Sequence, residues 1–389
     1  MKKVLILGGG FAGIDAAIYL RKEKYEVTLV SDRDYFYIYP TSIWVPTSKV
    51  KFEDVCVNLN DLAQAHGFNL VVDAVSKIEA KEKRVSLKSG KILDSFDDLI
   101  IAIGAGKMKA KGLENTLSIC GAPEQSVMLK DKIDALVAKG EGKIAFGFGG
   151  NPKDKSAIRG GPGFEMLFNV HHLLKKKGIR DKFELTMFAP MPKPGAKMGE
   201  KSLAMMDKMF TSCNIKKRFG KKIVGFESDA VLFEEDGRLD SDLIMFIPAG
   251  DGHPLVKESD LPLNEAGFIK INDYCEVDGI EGVYAIGDSA ALDGPEWRAK
   301  QGHLAELMAK NTAFNIIAKD KNMHERKGYQ EHINILCVMD TADGAGFAYR
   351  DDKKAFMIPM PIFGHWLKRG WGQYCRLSKL GKIPRIPGM

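Results

Sequence analysis

The N-terminal part of the chain shows the clearest pattern of apolar and glycine-rich positions. Residues 4–7 form a short apolar run that is suited to a buried parallel strand. A glycine-rich turn follows at once, and residues 14–20 then carry apolar positions at helical spacing. A second apolar run covers residues 25–30. Strand, glycine turn, helix and strand in this order predict a Rossmann unit.

The glycine turn has the spacing Gly8-x-Gly10-x-x-Gly13 that is typical of dinucleotide binding. Gly8 is expected to make the turn, Gly10 to let the backbone approach a pyrophosphate, and Gly13 to let the helix pack closely on the strand. Phe11 lies inside the loop and is counted among the expected cofactor contacts. The alternative is a glycine-rich turn without a ligand, but its position between strand and helix favours a bound dinucleotide.

Other expected cofactor contacts are spread along the chain. The acid that holds the cofactor ribose usually ends the second strand, where this chain has Ser31, so Asp32 next to it is expected to take that role. A later apolar run ends in a glycine turn that contains Gly104. Another ends at Gly287 and Asp288, where the carboxylate is expected to bond the ribityl chain or pyrophosphate of a flavin. The pattern predicts a nucleotide domain that is split in sequence.

The order of these elements predicts an α/β protein with two Rossmann-like dinucleotide-binding domains and a small C-terminal region. The first domain is expected over residues 1–115 and 276–317, and the second over residues 116–275. The C-terminal region covers residues 318–389.

The second predicted domain has an irregular glycine loop. Gly147-x-Gly149 begins correctly, but Pro152 stands at the third position and a charged run follows. The next apolar run ends at Ala189 and Pro190, with no acid for a ribose. We therefore expect this domain not to bind NAD, with a degenerate but working NAD site as the alternative.

Composition excludes several classes of protein. Among the 389 residues, 45% are hydrophobic and 28% are charged, which are the proportions of a folded globular protein. No apolar run is long enough to span a membrane, and the apolar stretch at the start is too short for a signal peptide. We therefore expect the chain to fold in the cytoplasm. The six cysteines form no C-x-x-C pair, so neither a disulfide scaffold nor a metal site is predicted.

The net charge of +6 has a local origin. From residue 364 onward there are six basic residues and no acid: Lys368, Arg369, Arg376, Lys379, Lys382 and Arg385. The same segment carries aromatic residues at spacings of three to four from Phe363 onward. A basic amphipathic tail of this kind predicts binding to an anionic membrane surface and disfavours nucleic acid. The alternatives are packing of the tail on its own domain and an interface in a homo-oligomer.

Several longer motifs resemble one group of flavoproteins. Residues 39–45 (YPTSIWV), which include Trp44, are similar to a P-S-x-P-W-V segment, and residues 300–306 (KQGHLAE) to P-K-T-G-x-x-x-E. Residues 161–165 (GPGFE) are similar to G-P-x-Y-E, and residues 379–384 also fit. Over essentially its whole length the chain resembles the sulfide:quinone oxidoreductase and flavocytochrome c sulfide dehydrogenase group, with type II NADH dehydrogenases as more distant relatives.

The resemblance implies FAD as cofactor, with Trp44 among its contacts and Lys300 near the N1/C2 edge of the flavin, where a cation stabilises the reduced anion. It matches Cys337 and Cys120 to two of the redox cysteines of the group. The central cysteine is replaced by Arg159, which can bind an anion but cannot receive sulfur. Glu165 is a candidate proton acceptor.

The resulting hypothesis is an FAD-dependent oxidoreductase that is bound peripherally to the inner membrane. It would pass electrons from sulfide, or a related small sulfur substrate, through FAD to a membrane quinone. Because the central cysteine is missing, a mechanism with Cys337 as the reacting thiol and Arg159 as the anion site is expected. Two alternatives remain: a relative that has lost sulfide activity and uses another donor, and a flavin-binding partner subunit without turnover.

Overall fold

The structure is a computed structural model that describes residues 2–385. The helices within this range are α1 Phe11–Lys22, α2 Tyr39–Ser42, α3 Leu59–His66, α4 Gln125–Lys139, α5 Gly161–Lys176, α6 Glu200–Ser212, α7 Pro254–Lys257, α8 Gly302–Asp320 and α9 Phe363–Lys379. The strands of the first half are β1 Lys3–Leu7, β2 Glu26–Ser31, β3 Tyr35–Tyr37, β4 Cys56–Asn58, β5 Asn69–Val72, β6 Val75–Glu79, β7 Arg84–Leu87, β8 Ile92–Leu93, β9 Asp98–Ile101, β10 Gly106–Lys107, β11 Gly142–Phe148 and β12 Phe183–Ala189. Those of the second half are β13 Lys216–Phe219, β14 Ile223–Glu227, β15 Ala230–Phe233, β16 Gly237–Asp240, β17 Leu243–Ile247, β18 Gly250–Asp251, β19 Val283–Ala285, β20 Ile335–Asp340, β21 Gly344–Arg350 and β22 Ala355–Pro361.

The first large sheet is parallel and has the strand order β19-β9-β1-β2-β5. Its strands are short and almost wholly apolar, which suits a sheet that is covered on both faces. Strand β1 lies in the middle, buried from Val4 to Leu7. Helices α1 and α8 pack together beside it, so the segment after residue 282 completes a sheet that begins at the N-terminus. The Rossmann unit predicted for the N-terminus is confirmed.

The second large sheet is also parallel, with the order β13-β12-β11-β17. Helix α5 packs on β11 and β12 through a face of aromatic and aliphatic side chains that includes Phe164 and Leu167. Strand β12 ends at Ala189, where the apolar run of the sequence also ends. The two parallel sheets confirm the predicted α/β class with two Rossmann-like units.

The C-terminal part is an antiparallel sheet, β20-β21-β22, followed by α9. Strand β22, which contains Pro359 and Pro361, was not predicted from the sequence. The structure accommodates both prolines because β22 is an edge strand, where a missing backbone donor breaks no sheet on its outer side. As expected, the helix begins only after these prolines, at Phe363.

None of the helices formed by residues 2–385 is long and apolar enough to cross a membrane.

Candidate active site

The N-terminal glycines have the geometry of a phosphate loop. Gly8 has φ +114°, and a Cβ there would lie 2.3 Å from the carbonyl oxygen of Ala102. A Cβ on Gly13 would lie 1.9 Å from the carbonyl oxygen of Gly8, so the close approach of α1 requires glycine. A Cβ on Gly10 would meet no atom of residues 2–385 within 4 Å, which leaves the outer face of the loop open to a ligand. Because no side chain caps the N-terminus of α1, its N–H groups can bind phosphate oxygens.

The other expected cofactor contacts lie around this loop. Asp32 directly follows β2, and its exposed carboxylate bonds Arg33 at 3.1 Å. Gly104 has φ +76° and lies two residues before the short strand β10. Gly287 has φ +65°, and a Cβ there would lie 3.2 Å from Ala12 of α1, so this residue also lets the chain pass close to the phosphate helix.

Arg159 pairs with another of the predicted site residues. Its partly buried guanidinium forms an ion pair with Oδ2 of Asp288, the acid predicted for the flavin. The charges that act on the Cys337 thiol come from Glu165 and Lys368. That Arg159 holds an anion for Cys337 stays a prediction.

Lys300 is almost fully buried, with 6% of its surface exposed. Its ammonium donates to the carbonyl of Ala290 and lies 4.0 Å from the ring centroid of Phe268. Burial lowers the pKa of Lys300 to about 7, although Asp154 opposes the shift. A cation in so apolar a place is stabilised strongly by any anion that binds beside it, which is the property expected of a residue at the edge of a reduced flavin.

Cys120 is buried among cations. The charges of Lys107 and Arg159 both act on its thiol, and Arg159 also acts on Tyr39. Burial nevertheless raises the pKa of the Cys120 thiol above its ordinary value, which keeps it protonated at neutral pH. Burial lowers the pKa of Lys107 to about 8, with a further decrease from Arg159. No motif in the sequence pointed to Lys107.

Cys337 lies at the N-terminal end of α5, where a Cβ on Gly161 would be 3.9 Å from its sulfur atom. Burial raises the pKa of the thiol to about 12; Glu165 adds to the rise and Lys368 opposes it. Glu165 is itself 4% exposed and forms an ion pair with Lys368 of α9. Burial raises the pKa of this carboxyl despite the ammonium beside it. The charge of the Glu165 carboxyl also raises the pKa of Cys120, so this one carboxyl influences both candidate redox thiols.

A second carboxylate, Asp340 at the end of β20, holds the same region together. It accepts hydrogen bonds from Trp44 Nε1 at 2.9 Å and from the side chain of Asn169 at 3.1 Å, and its Oδ2 lies 2.7 Å from Nδ1 of His365. Its backbone N–H donates to Glu165 at 2.8 Å. Burial alone would raise the pKa of Asp340, but the bonds from Trp44 and His365 outweigh it and lower the pKa.

Trp44 is expected to contact the cofactor, which stays a prediction, and in the structure its side chain binds other residues of the protein. The indole is buried, donates to Asp340 and packs edge-on against His365 at 5.3 Å between ring centroids. It therefore ties the segment after β3 to helix α9. Asp340, His365 and Lys368 were not found from the sequence, because they reach Glu165 and Trp44 from positions more than 150 residues away.

Several basic side chains of the C-terminal tail are turned toward the protein body, whereas the prediction has them facing a membrane. Lys379 is 1% exposed and bonds Asp15 and Glu306, Arg385 also bonds Asp15, and Lys368 bonds Glu165. Three of the six basic residues thus pair with acids of the protein body and do not face a membrane. Arg369 and Lys382 are exposed. The apolar residues divide in the same way: Phe363, Trp366 and Leu367 are exposed, whereas Trp371 packs against the first domain.

Comparison with known proteins agrees with this geometry. Residues 2–309 match the family described as pyridine nucleotide-disulphide oxidoreductase, and the chain belongs to that family. A sulfide-quinone reductase of Aquifex aeolicus is 27% identical over 401 aligned positions, which cover 96% of this chain and 90% of the relative. A type II NADH:quinone oxidoreductase of Staphylococcus epidermidis is 25% identical, covering 93% of this chain and 94% of the relative.

Solved structures give the same result for the fold. The X-ray structure of the sulfide:quinone oxidoreductase from Aquifex aeolicus superposes with a TM-score of 0.88 at 25% identity, covering 98% of this chain and 92% of that one. The structure of NDH2 from Plasmodium falciparum in complex with NADH superposes with a TM-score of 0.79 at 14% identity, covering 98% and 96%. This second likeness shows the fold alone.

The chain is therefore an FAD-dependent oxidoreductase, as the sequence predicted. The residues present fit FAD: the open face of Gly10 and the uncapped start of α1 suit the pyrophosphate, and Lys300 suits the flavin edge. When bound, FAD accepts two electrons from a donor and passes them on. The chain places a buried carboxyl, a buried thiol, a partly buried thiol and three lysines in this region.

Proposed function

We propose that this protein passes electrons from sulfide, or a related small sulfur species, through FAD to a membrane quinone. The observation that carries the proposal is the group of Cys337, Glu165 and Lys368 at the N-terminal end of α5. It places a thiol beside a buried acid–base pair, so that the Cys337 proton could be removed while its sulfur bonds to a sulfide sulfur and FAD would take up the two electrons released. The similarity to sulfide-quinone reductases supports the same activity.

The protonation state of the Cys337 thiol determines whether it can react. With a pKa raised to about 12, the thiol is neutral at physiological pH and needs a base before it can act as a nucleophile. Glu165 is the carboxyl whose charge acts on it, and Lys368 holds that carboxyl in place. We assign Glu165 as the proton acceptor and Lys368 as its positioning residue. Cys120, with Lys107 and Arg159 around it, is a second thiol in a positive environment that suits an anionic sulfur species.

The second Rossmann-like unit supports a donor other than NADH. Strand β11 ends at Phe148 and α5 begins only at Gly161, so residues 149–160 separate the glycines from the helix that would bind a pyrophosphate. Hydrogen bonds hold this loop in place, among them one that the side-chain amide of Asn151 donates to the carbonyl of Gly250 at 2.9 Å. Strand β12 is followed by Pro190, which offers no carboxylate to a ribose.

We base the proposed binding to a membrane, and through it the access to quinone, on the exposed apolar side chains at the junction of β22 and α9. Ile358, Ile362, Phe363, Trp366 and Leu367 are between 39% and 69% exposed, and Arg369 lies over the Trp366 ring. Tryptophan, aliphatic residues and arginine on one short helical face are typical of peripheral membrane binding. Such a surface would bring the site to the quinone in the bilayer.

The proposal is tested by anaerobic reduction of the bound flavin. We expect sulfide to bleach the flavin absorbance band and a short-chain quinone to restore it. Cys337→Ser should abolish bleaching by sulfide, because serine is a far weaker nucleophile. Cys213→Ser, which removes a partly exposed thiol outside this site, should bleach as the wild type does. Bleaching of Cys337→Ser at the wild-type rate would remove Cys337 from the mechanism.

One observation favours a second candidate, a quinone-linked oxidoreductase with another donor. Arg159 stands where the central redox cysteine is expected and is bound to Asp288, so the site holds no second thiol at that position. If sulfide at any concentration leaves the flavin oxidised while a different reductant bleaches it and quinone restores it, this second candidate is correct.

A further inference from the structure

The end of helix α9 forms a buried ionic cluster with the first domain. The ammonium of Lys379 lies 2.5 Å from Oδ1 of Asp15 and 2.6 Å from Oε1 of Glu306, and Arg385 binds the other oxygen of Asp15. Asp15 and Lys379 are each 1% exposed at their side chains. The partners lie on three different segments: α1, α8 and the C-terminus.

The cluster is electrically balanced. Its two carboxylates face two cations, and Tyr19 also lies against the Arg385 guanidinium, at 5.2 Å from its ring centroid. Burial alone would lower the pKa of Lys379, but the charges of Asp15 and Glu306 outweigh it and raise the pKa. Both cations lie near the end of the chain, and we call the pair Lys379 and Arg385 the C-terminal clamp. Without the clamp, the two carboxylates would remain inside the protein without a counter-charge.

The position of the cluster connects it to the glycine loop. The Lys379 ammonium lies 5.2 Å from the ring centroid of Phe11 and 5.4 Å from that of Phe36. Phe11 is the first residue of α1, directly after Gly10, and Asp15 lies one turn further along the same helix. The cluster therefore lies next to the first turns of α1, the helix whose free N–H groups would bind the phosphates of the cofactor.

We propose that the C-terminal clamp is part of the FAD-binding site: Lys379 and Arg385 neutralise Asp15 and Glu306 so that the start of α1 can hold the dianionic pyrophosphate. An unpaired carboxylate in the first turns of α1 would cancel the positive end of the helix dipole and repel the phosphates. The effect acts at close range through the protein interior, where salt screens it little. The role concerns cofactor binding alone and holds whether or not sulfide is the donor.

The test is the dissociation constant of FAD, measured by recovery of flavin fluorescence on dilution and by titration of the apoprotein. Lys379→Met keeps the length of the side chain but removes its charge, and we expect it to weaken FAD binding by about tenfold or more. Lys382→Met removes an equal charge three residues away, from an exposed side chain, and should leave the constant unchanged. Equal constants for Lys379→Met and the wild type would overturn the proposal.

A double variant separates charge from damage to the fold. Lys379→Met combined with Glu306→Gln again balances the cluster, with Arg385 facing Asp15, and should recover most of the lost affinity. Circular dichroism of each apoprotein checks that it is folded. If the double variant binds FAD as weakly as Lys379→Met while both apoproteins are folded, the loss does not come from the unpaired carboxylate and the proposal is wrong. If Lys382→Met weakens binding equally, the effect is one of overall charge, which also contradicts it.

Discussion

At the scale of single residues, the chemistry depends on where buried charges find their partners. Burial raises the pKa of the Cys337 thiol to about 12, and the opposed charges of Glu165 and Lys368 act on it from α5 and α9. The thiol is thus held unreactive until a proton leaves. Because the thiolate is the reactive form of cysteine, a protonated Cys337 thiol is protected from oxidation.

Glu165→Gln should separate reactivity of the thiol from catalysis. Removing the carboxylate leaves Lys368 alone beside Cys337, which lowers the thiol pKa, so we expect alkylation by iodoacetamide at pH 8 to become about tenfold faster. Turnover should fall at the same time, because the proton acceptor is lost. Mass spectrometry of the Cys337 peptide measures the first effect.

The matched control is Glu331→Gln, which removes an exposed carboxylate just before β20. It should change neither rate. Slower alkylation of Cys337 in Glu165→Gln, or unchanged turnover, would contradict the role assigned to Glu165.

The sequence pointed to candidate site residues but not to the residues that bind them. Cys337, Cys120 and Glu165 are expected from the family resemblance, and the structure places the carboxyl of Glu165 within electrostatic reach of both thiols. Their partners could not be predicted. Lys368 binds Glu165 across 203 positions, and no local pattern encodes a pairing of that length. The ion pair between Arg159 and Asp288 could not be predicted either, since the two residues are far apart in sequence.

At the scale of elements, the phosphate loop contains glycines with different physical roles. Gly13→Ala places a Cβ 1.9 Å from the carbonyl oxygen of Gly8, so we expect the melting temperature of the apoprotein to fall by several degrees. Gly10→Ala meets no atom of residues 2–385 and should leave that temperature unchanged while weakening FAD binding. Calorimetry of the apoproteins together with FAD titration checks both. Equal stability losses in the two variants would show that the roles are not separate.

The junction between β22 and α9 stores backbone strain in an exposed position. Ile362 has φ +61° and is 69% exposed, an arrangement that a β-branched residue rarely adopts. Ile362→Gly should therefore stabilise the fold by about 1 kcal/mol, measured by urea unfolding.

The same substitution removes an apolar side chain from the proposed membrane surface. It should weaken binding to vesicles of phosphatidylglycerol and phosphatidylethanolamine by about tenfold in a flotation assay. Opposite signs for stability and membrane binding are the expected result. Unchanged binding to the vesicles would mean that this junction does not contact lipid.

The N-terminal elements could be predicted because their apolar patterns are local. Strands β1 and β2 and helix α1 follow the pattern of the sequence. Strand β22 could not be predicted, because its prolines are compatible with a strand only at the edge of a sheet, and edge position is a property of the whole fold.

At the scale of the whole molecule, helix α9 links three places that are distant in sequence. Its first turn exposes apolar residues, Lys368 in its middle pairs with Glu165 beside Cys337, and Lys379 at its end pairs with Asp15 behind the glycine loop. Half of the six basic residues that account for the net charge of +6 thus pair with acids of the protein body. A deletion of this helix would affect FAD binding, the surroundings of the Cys337 thiol and the proposed membrane binding together. Single substitutions are therefore needed to test each of them.

Buried lysines predict the pH dependence of stability. Burial lowers the pKa of Lys300 to about 7 and of Lys107 and Lys197 to about 8, whereas the unfolded chain retains values near 10.5. Between pH 7 and 9 the unfolded state therefore binds more protons, and the free energy of unfolding of the apoprotein should rise with pH.

Lys300 alone should contribute roughly 2 kcal/mol over that interval. Lys300→Met should therefore flatten the rise, as measured by urea unfolding of the apoprotein at pH 7, 8 and 9. An equal slope in the variant and the wild type would show that Lys300 stays charged in the folded apoprotein.

The central claim is that a reduced sulfur species, and not NADH, supplies the electrons for quinone reduction. The most direct measurement is the steady-state rate of reduction of a short-chain quinone by the purified holoprotein under anaerobic conditions, with sulfide or NADH as the donor. We predict that kcat/KM for sulfide exceeds that for NADH by at least about a hundredfold, and that Cys337→Ser loses the sulfide rate. Quinone reduction by NADH with none by sulfide would contradict the account.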